Sequence, residues 1–136
     1  MSFLLDTNVL SEVRRPNGDP HVKRWLASVP GFDLFISVLV VGEIRQGVER
    51  LRPRDPRQAA VYDAWLAVLR HEYRDRILPV TAEIGEEWGR LNSSRPLPVI
   101  DGLMAATAIV HDLALVTRNV ADVSATAARV VNPFQD

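Results

Sequence analysis

The sequence predicts an α/β fold in three layers, with a central, mostly parallel sheet of about five strands flanked by helices. One domain spans residues 1–136. Three observations predict the layering. Short apolar runs alternate with longer stretches whose apolar residues recur at helical spacing, the pattern of strands joined through helices. Residues 100–111 are apolar almost all round, as a helix buried on most sides requires. Hydrophobic residues make up 47% of 136 positions and charged residues 24%, so the chain can bury one real core and is not a disordered segment.

Each element has its own signal. Phe3-Leu4-Leu5 is a buried strand ending at Asp6, and Asp6-Thr7-Asn8 offers capping side chains to a helix carrying Val9, Leu10 and Val13. Pro16-Asn17-Gly18-Asp19-Pro20 is a turn. Val22, Trp25, Leu26 and Val29 then mark a helix stopped by Pro30-Gly31. Leu34-Phe35-Ile36 is a second strand, and Ser37 caps a helix from Val38 to about Arg50. Beyond the loop bracketed by Pro53 and Pro56, a long helix shows Val61, Trp65, Val68 and Leu69 on one face. Ile77-Leu78-Pro79-Val80 is a third strand, followed by a helix capped at Thr81 and carrying Ile84, Trp88 and Leu91. After the loop 93–98 and the apolar helix, Ala114-Leu115-Val116 and Arg129-Val130-Val131 are the last two strands.

Composition excludes several chemistries. Without cysteine there is no disulfide, thiolate zinc site or cysteine nucleophile. No apolar run approaches the ~20 residues that cross a bilayer, and the start meets a charge at Asp6 too early for a signal peptide, so the expected compartment is the cytoplasm with no membrane contact. The net charge of −1 says little about partners. The arginines are clustered, however: Arg14, Arg15, Lys23 and Arg24 early, and Arg45, Arg50, Arg52, Arg54 and Arg57 in the middle. A solvated helix face and a patch for a polyanion are both open readings of these runs.

The informative residues are acids beside apolar segments. In open parallel sheets, ligands collect at the carboxyl ends of strands. Asp6 directly follows the first strand, and Thr117, Arg118, Asn119 and Asp122 follow the fourth. Glu43 interrupts a largely apolar helix, and Asp101 opens the apolar one. Each has an ordinary explanation when taken singly: Glu43 shares the wet stripe of Gln46 and Arg50, Asp6 and Asp101 suit helix N-termini, and Asp122 is a loop acid. Together they suggest convergence on a cation. Two carboxylates about 4 Å apart repel by roughly 4 kcal/mol at an effective dielectric of 20, so a cluster protonates, splays or binds metal. Hard oxygen ligands point to Mg2+ or Mn2+ over zinc, and His21, His71 and His111 lack zinc-motif spacing. A carboxylate-held divalent cation suits phosphodiester hydrolysis and needs no covalent nucleophile. Thr7 and Asn8 either orient these acids or simply cap the first helix.

At these residues the sequence resembles the PIN-domain family, and within it the VapC-like toxins. The likeness is carried by Phe3 through Glu12, by Ile36-Ser37-Val38 to Gly47, by Pro98 through Ala108, by Leu115 through Asp122, and by Val131-Asn132-Pro133. It spans residues 3 to about 134. The resemblance implies a metal-dependent endoribonuclease, the toxin of a toxin–antitoxin pair, with Asp6, Glu43, Asp101 and Asp122 as catalytic, metal-binding acids. Family members differ over the last position: some place an acid where Asn119 stands, others use the acid that is Asp122 here. Asn119 is therefore expected as a neutral site residue, with Thr7 beside it in a supporting role. Val123 departs from the aromatic residue common after that last acid. The resemblance further implies a structured RNA substrate such as transfer or ribosomal RNA, a cognate VapB-like antitoxin that inserts a segment into the acidic site, and a homodimer.

Two other readings compete. A catalytically silent PIN scaffold that only binds partners is opposed by the retention of four acids. A receiver-like signalling module wants an acidic pair after the first strand and a late lysine, where this chain has Asp6-Thr7 and Arg118. The spacing of Trp25, Trp65 and Trp88 fits core positions better than exposed anchors.

Overall fold

A computed structural model describes residues 1–123 and 126–134. Among these residues five strands form one sheet in the order β3-β2-β1-β4-β5, with every neighbouring pair parallel. The strands are β1 (Phe3–Leu5), β2 (Leu34–Ser37), β3 (Ile77–Leu78), β4 (Ala114–Val116) and β5 (Arg129–Val131). The helices are α1 (Thr7–Arg14), α2 (Pro20–Ala27), α3 (Val38–Leu51), α4 (Pro56–Glu72), α5 (Ala82–Asn92), α6 (Val99–Val110) and α7 (Val120–Val123). Parallel neighbours cannot be joined by a tight turn, so each connection must cross over, and helices supply most of that length. β3 is two residues shorter than the run Ile77–Val80 suggests, because Pro79 has no N–H to give to a ladder.

β1 lies in the centre. Phe3 pairs with Leu34 on one side and Ala114 on the other, and Leu4 and Leu5 are fully buried. The chain builds outward from β1 through β2 to β3, then returns to place β4 on its other side. The order therefore reverses between β1 and β4, whose carboxyl ends form a natural crevice. Helix starts follow the capping rules closely. Asp6, Asp19, Ser37, Asp55 and Thr81 each accept a backbone N–H of the helix they precede. Arg76 joins separate segments by donating to the carbonyls of Gly31, Leu34 and Glu72.

The buried face of α4 differs from the one expected. Ala59, Leu66, Leu69 and Tyr73 face the core with Tyr62 half-buried beside them, whereas Val61 and Val68 are 50% and 55% exposed. Rotation of the helix follows its neighbours. Gly47 on α3 leaves room for the Tyr62 ring, which lies 3.3 Å from where a Cβ would stand, and Arg14 stacks over both Tyr62 and Trp65. Trp25 packs edge-on against Phe3 at 5.0 Å, and both Trp25 and Trp65 lie half-buried against the core cluster. Trp88 is half-buried too, its indole edge 3.1 Å from the space a side chain at Gly102 would fill.

The turn from α1 into α2 is tight. Glu12 accepts the Asp19 N–H at 2.8 Å and pairs with Arg15, and Gly18 sits so close that a Cβ there would lie 1.9 Å from the Glu12 carbonyl oxygen. Gly18→Ala should therefore lower stability by about 2 kcal/mol or more, since backbone must move. Gly85→Ala meets open space inside α5 and should raise stability by up to about 1 kcal/mol through helix propensity. Thermal unfolding of the two variants checks both signs.

Candidate active site

Asp6 is the first residue after β1, and its backbone N–H is held by the Val116 carbonyl at 3.1 Å, so the end of β4 fixes where the carboxylate begins. Its Oδ1 accepts the Val9 N–H at 3.0 Å, which makes it also the cap of α1. The Thr117 hydroxyl is a further partner of this carboxylate. Thr117 is itself buried at the end of β4, with its N–H on the Val131 carbonyl. The sequence draws attention to Thr117 only as a neighbour of the acids. A hydroxyl directly following a central strand opposite Asp6 was the available signal.

Glu43 comes from the second turn of α3, which starts at the carboxyl end of β2 beside β1. The Thr7 hydroxyl donates to Glu43 Oε1 at 2.6 Å, joining the start of α1 to α3. Asp101 stands in the first turn of α6, and the Asn119 amide donates to its Oδ2 at 2.9 Å. Glu43 also faces a shallow groove of about 380 Å³ shared with Val38, Leu39, Gln46 and Ile100, the last being the neighbour of Asp101. Four chain segments thus meet at one end of the sheet, and Asp6, Thr7, Glu43, Asp101 and Asn119 are brought together there. Asp122 belongs to α7, but its side chain lies outside the described residues. Asn8 is exposed on the first turn of α1. His21 pairs with Asp19 and His111 ends α6, positions that belong to capping and surface.

Electrostatics mark Asp6 as the constrained member. Burial raises its carboxyl above the ordinary aspartate value, and the charges of Glu43 and Asp101 raise it further. The Thr117 hydroxyl and the Val9 N–H pull it down without cancelling the shift. Two threonine hydroxyls and a backbone amide hold Asp6 and Glu43, and the Asn119 amide donates to Asp101, so neutral donors orient the acids. Among the described residues no group of three acids or histidines is gathered closely enough to hold an ion as it stands. The donor chemistry nonetheless fits a hard divalent cation: all oxygen, anionic, mutually repelling, and aligned by hydrogen-bonding neighbours.

A PIN-domain profile matches residues 3–126. The chain belongs to the PIN-domain family. This PIN domain is 30% identical to the toxin FitB of Neisseria gonorrhoeae, in an alignment covering 98% of the chain and 99% of that protein. It is 26% identical to the VapC ribonuclease Y4jK of Sinorhizobium fredii over 98% of each. The crystal structure of FitAcB from Neisseria gonorrhoeae superimposes with a TM-score of 0.90 at 31% identity, covering 98% of this chain and 99% of that one. A toxin–antitoxin complex from Klebsiella pneumoniae does so at 0.73 and 26%, covering 99% and 100%. The five-stranded parallel PIN architecture is therefore shared across the full length of these relatives.

The raised Asp6 carboxyl has a consequence for stability. The folded state holds a proton there more tightly than the unfolded chain, so stability falls as pH rises from the unfolded value near 3.8 through the raised one. Asp6→Asn keeps an oxygen for the Val9 N–H and removes the charge. In EDTA this variant should melt above the wild type at pH 7, and the gain should vanish as pH falls below 3.8. Melting temperatures across that range, equal at every pH, would remove the electrostatic constraint inferred for Asp6.

Proposed function

We propose that this PIN domain is a metal-dependent endoribonuclease of the toxin type, cutting RNA at the carboxylate cluster and restrained by a cognate VapB-like antitoxin. The observation that carries the reading is the convergence of Asp6, Glu43 and Asp101 at the β1–β4 crevice, with Asp6 destabilised as a charge. The likeness to a named VapC ribonuclease and to chains of toxin–antitoxin complexes supports both halves. Asp6, Glu43 and Asp101 hold Mg2+ or Mn2+, with Asp122 as the fourth acid. Held by these carboxylates, a divalent cation would lower the pKa of an attacking water and offset charge on the phosphoryl oxygens.

The chain's own residues then have distinct tasks. Asp6 is fixed from two sides by Val9 and Thr117, so its free lone pairs keep one direction. Thr7 turns Glu43 toward the crevice from α1, and Asn119 does the same for Asp101 from the segment after β4. The groove beside Glu43, lined by Val38, Leu39 and Ile100, suits an apolar antitoxin segment that reaches the acids. The reading includes a homodimer acting in the cytoplasm, which rests on the family likeness. Among the described residues no helix is long and apolar enough to cross a membrane.

The test is cleavage of total cellular RNA by purified, antitoxin-free protein in magnesium, manganese or EDTA, beside Asp6→Asn and Asp101→Asn. Cleavage is expected only with metal, and each variant should lose about 100-fold or more while its circular dichroism stays that of the wild type. Folded wild type that cuts nothing under any of these conditions supports the silent scaffold instead. Activity surviving both substitutions places the chemistry elsewhere. Thr7→Val, which leaves Glu43 without its donor, should cost roughly 10-fold to 100-fold in kcat/KM, and Thr7→Ser should recover most of it.

A further inference from the structure

A site that cuts RNA with clustered carboxylates repels its own substrate. The cation neutralises charge at the scissile phosphate, but flanking phosphates need positive groups elsewhere, and the chain as a whole carries a net charge of −1. The middle arginine run does not supply them all. Arg45 and Arg52 are committed to Glu49 and Asp63 on the α3–α4 surface.

A different recess has the required chemistry. A cavity of about 190 Å³ opens between Arg90 at the end of α5, Ser94, Arg95 and Leu97 in the following loop, and Thr126 beyond α7. Among the described residues no carboxylate lines it. Arg90 uses Nε and Nη2 on Glu87, which leaves Nη1 unengaged. Arg95 is exposed, and among the described residues neither its guanidinium nor the Ser94 hydroxyl has a partner. Thr126 is occupied, donating to the Val123 carbonyl and accepting the Ala128 N–H, so it stiffens the opposite wall. The Arg95 guanidinium and the Ser94 hydroxyl, with the remaining Nη1 of the Glu87-paired Arg90 beside them, form an anion acceptor, and the planar fork of arginine matches phosphate oxygens.

Its position relates it to the acids. The loop carrying Arg95 runs into α6 and reaches Asp101 six residues later, a distance of at most about 20 Å even if fully extended. The other wall continues from the segment carrying Asn119, the residue that bonds Asp101. Both walls are thus extensions of the segments that build one side of the crevice.

We propose that Arg95, with Ser94 and Arg90, forms a subsite for a backbone phosphate of the RNA strand beside the bond that is cut. This rests on the ribonuclease reading and assigns part of its substrate binding.

The experiment measures binding of fluorescein-labelled bulk transfer RNA in EDTA over a series of KCl concentrations, alongside steady-state cleavage in magnesium, for wild type, Arg95→Ala, Arg95→Glu and Arg95→Lys. Arg95→Ala should weaken binding about threefold to tenfold and reduce the slope of log K against log salt by about 0.7 to 1, the signature of one lost phosphate contact. Arg95→Glu should weaken it further, and Arg95→Lys should restore most of it. In cleavage KM should rise while kcat holds, since the contact serves ground and transition states alike. Wild type that binds and cuts while Arg95→Glu matches it in affinity and salt slope overturns the subsite alone. Wild type that neither binds nor cuts overturns the ribonuclease reading and the subsite with it.

Discussion

Asp6 stands where a fully buried strand ends, and that boundary governs the molecule. Leu4 and Leu5 are fully buried in the middle of a parallel sheet, and the next residue is a carboxylate tied by its backbone to Val116 and by its side chain to Val9 and Thr117. Because β1 has neighbours on both sides, the backbone that carries Asp6 is fixed at the sheet's centre. Burial and two further acids raise the energy of its charge. Neutral hydrogen-bond donors orient the carboxylates. Stability is thereby lowered at one point above the unfolded aspartate pKa.

The supporting contacts divide by origin. Thr7 and Asn119 reach across between elements, from α1 to α3 and from the loop after β4 to α6. The caps of α1 and α3 are local, made by the strand-ending residues Asp6 and Ser37 on N–H groups two or three positions ahead. Asp6 serves both ends at once: one oxygen begins a helix and the carboxylate as a whole faces the crevice. That double use explains why helix capping is a sound reading of Asp6 in isolation and an incomplete one in the fold. The basic recess at Arg90 and Arg95 separates positive charge from the acids in space, which a net charge near zero conceals.

The strands, the helix starts and the acids were legible because they depend on near neighbours in sequence. Short apolar runs, cap residues and prolines act over a few positions, and Asp6, Thr81 and Ser37 behave as their local chemistry requires. The face of α4 was not legible. Val61 and Val68 satisfy helical spacing as well as Ala59 and Leu66 do. The choice between the two stripes was made by Gly47 and Arg14, which lie outside the helix and receive the Tyr62 and Trp65 rings. The 3-10 turn at Gly31–Asp33 and the single-turn helix α7 were likewise hidden, being too short for periodicity to register.

By itself the sequence determined the α/β class, the strand ends, and a set of acids too close to apolar segments to be ordinary surface, because burial and capping are written in local residue types. The tertiary structure alone decided which partner each acid takes. Thr7 and Glu43 are 36 positions apart, and Asn119 and Asp101 are 18 apart. Contacts of that kind exist only once parallel pairing has set β1 between β2 and β4, since no local preference of either residue encodes the other's position.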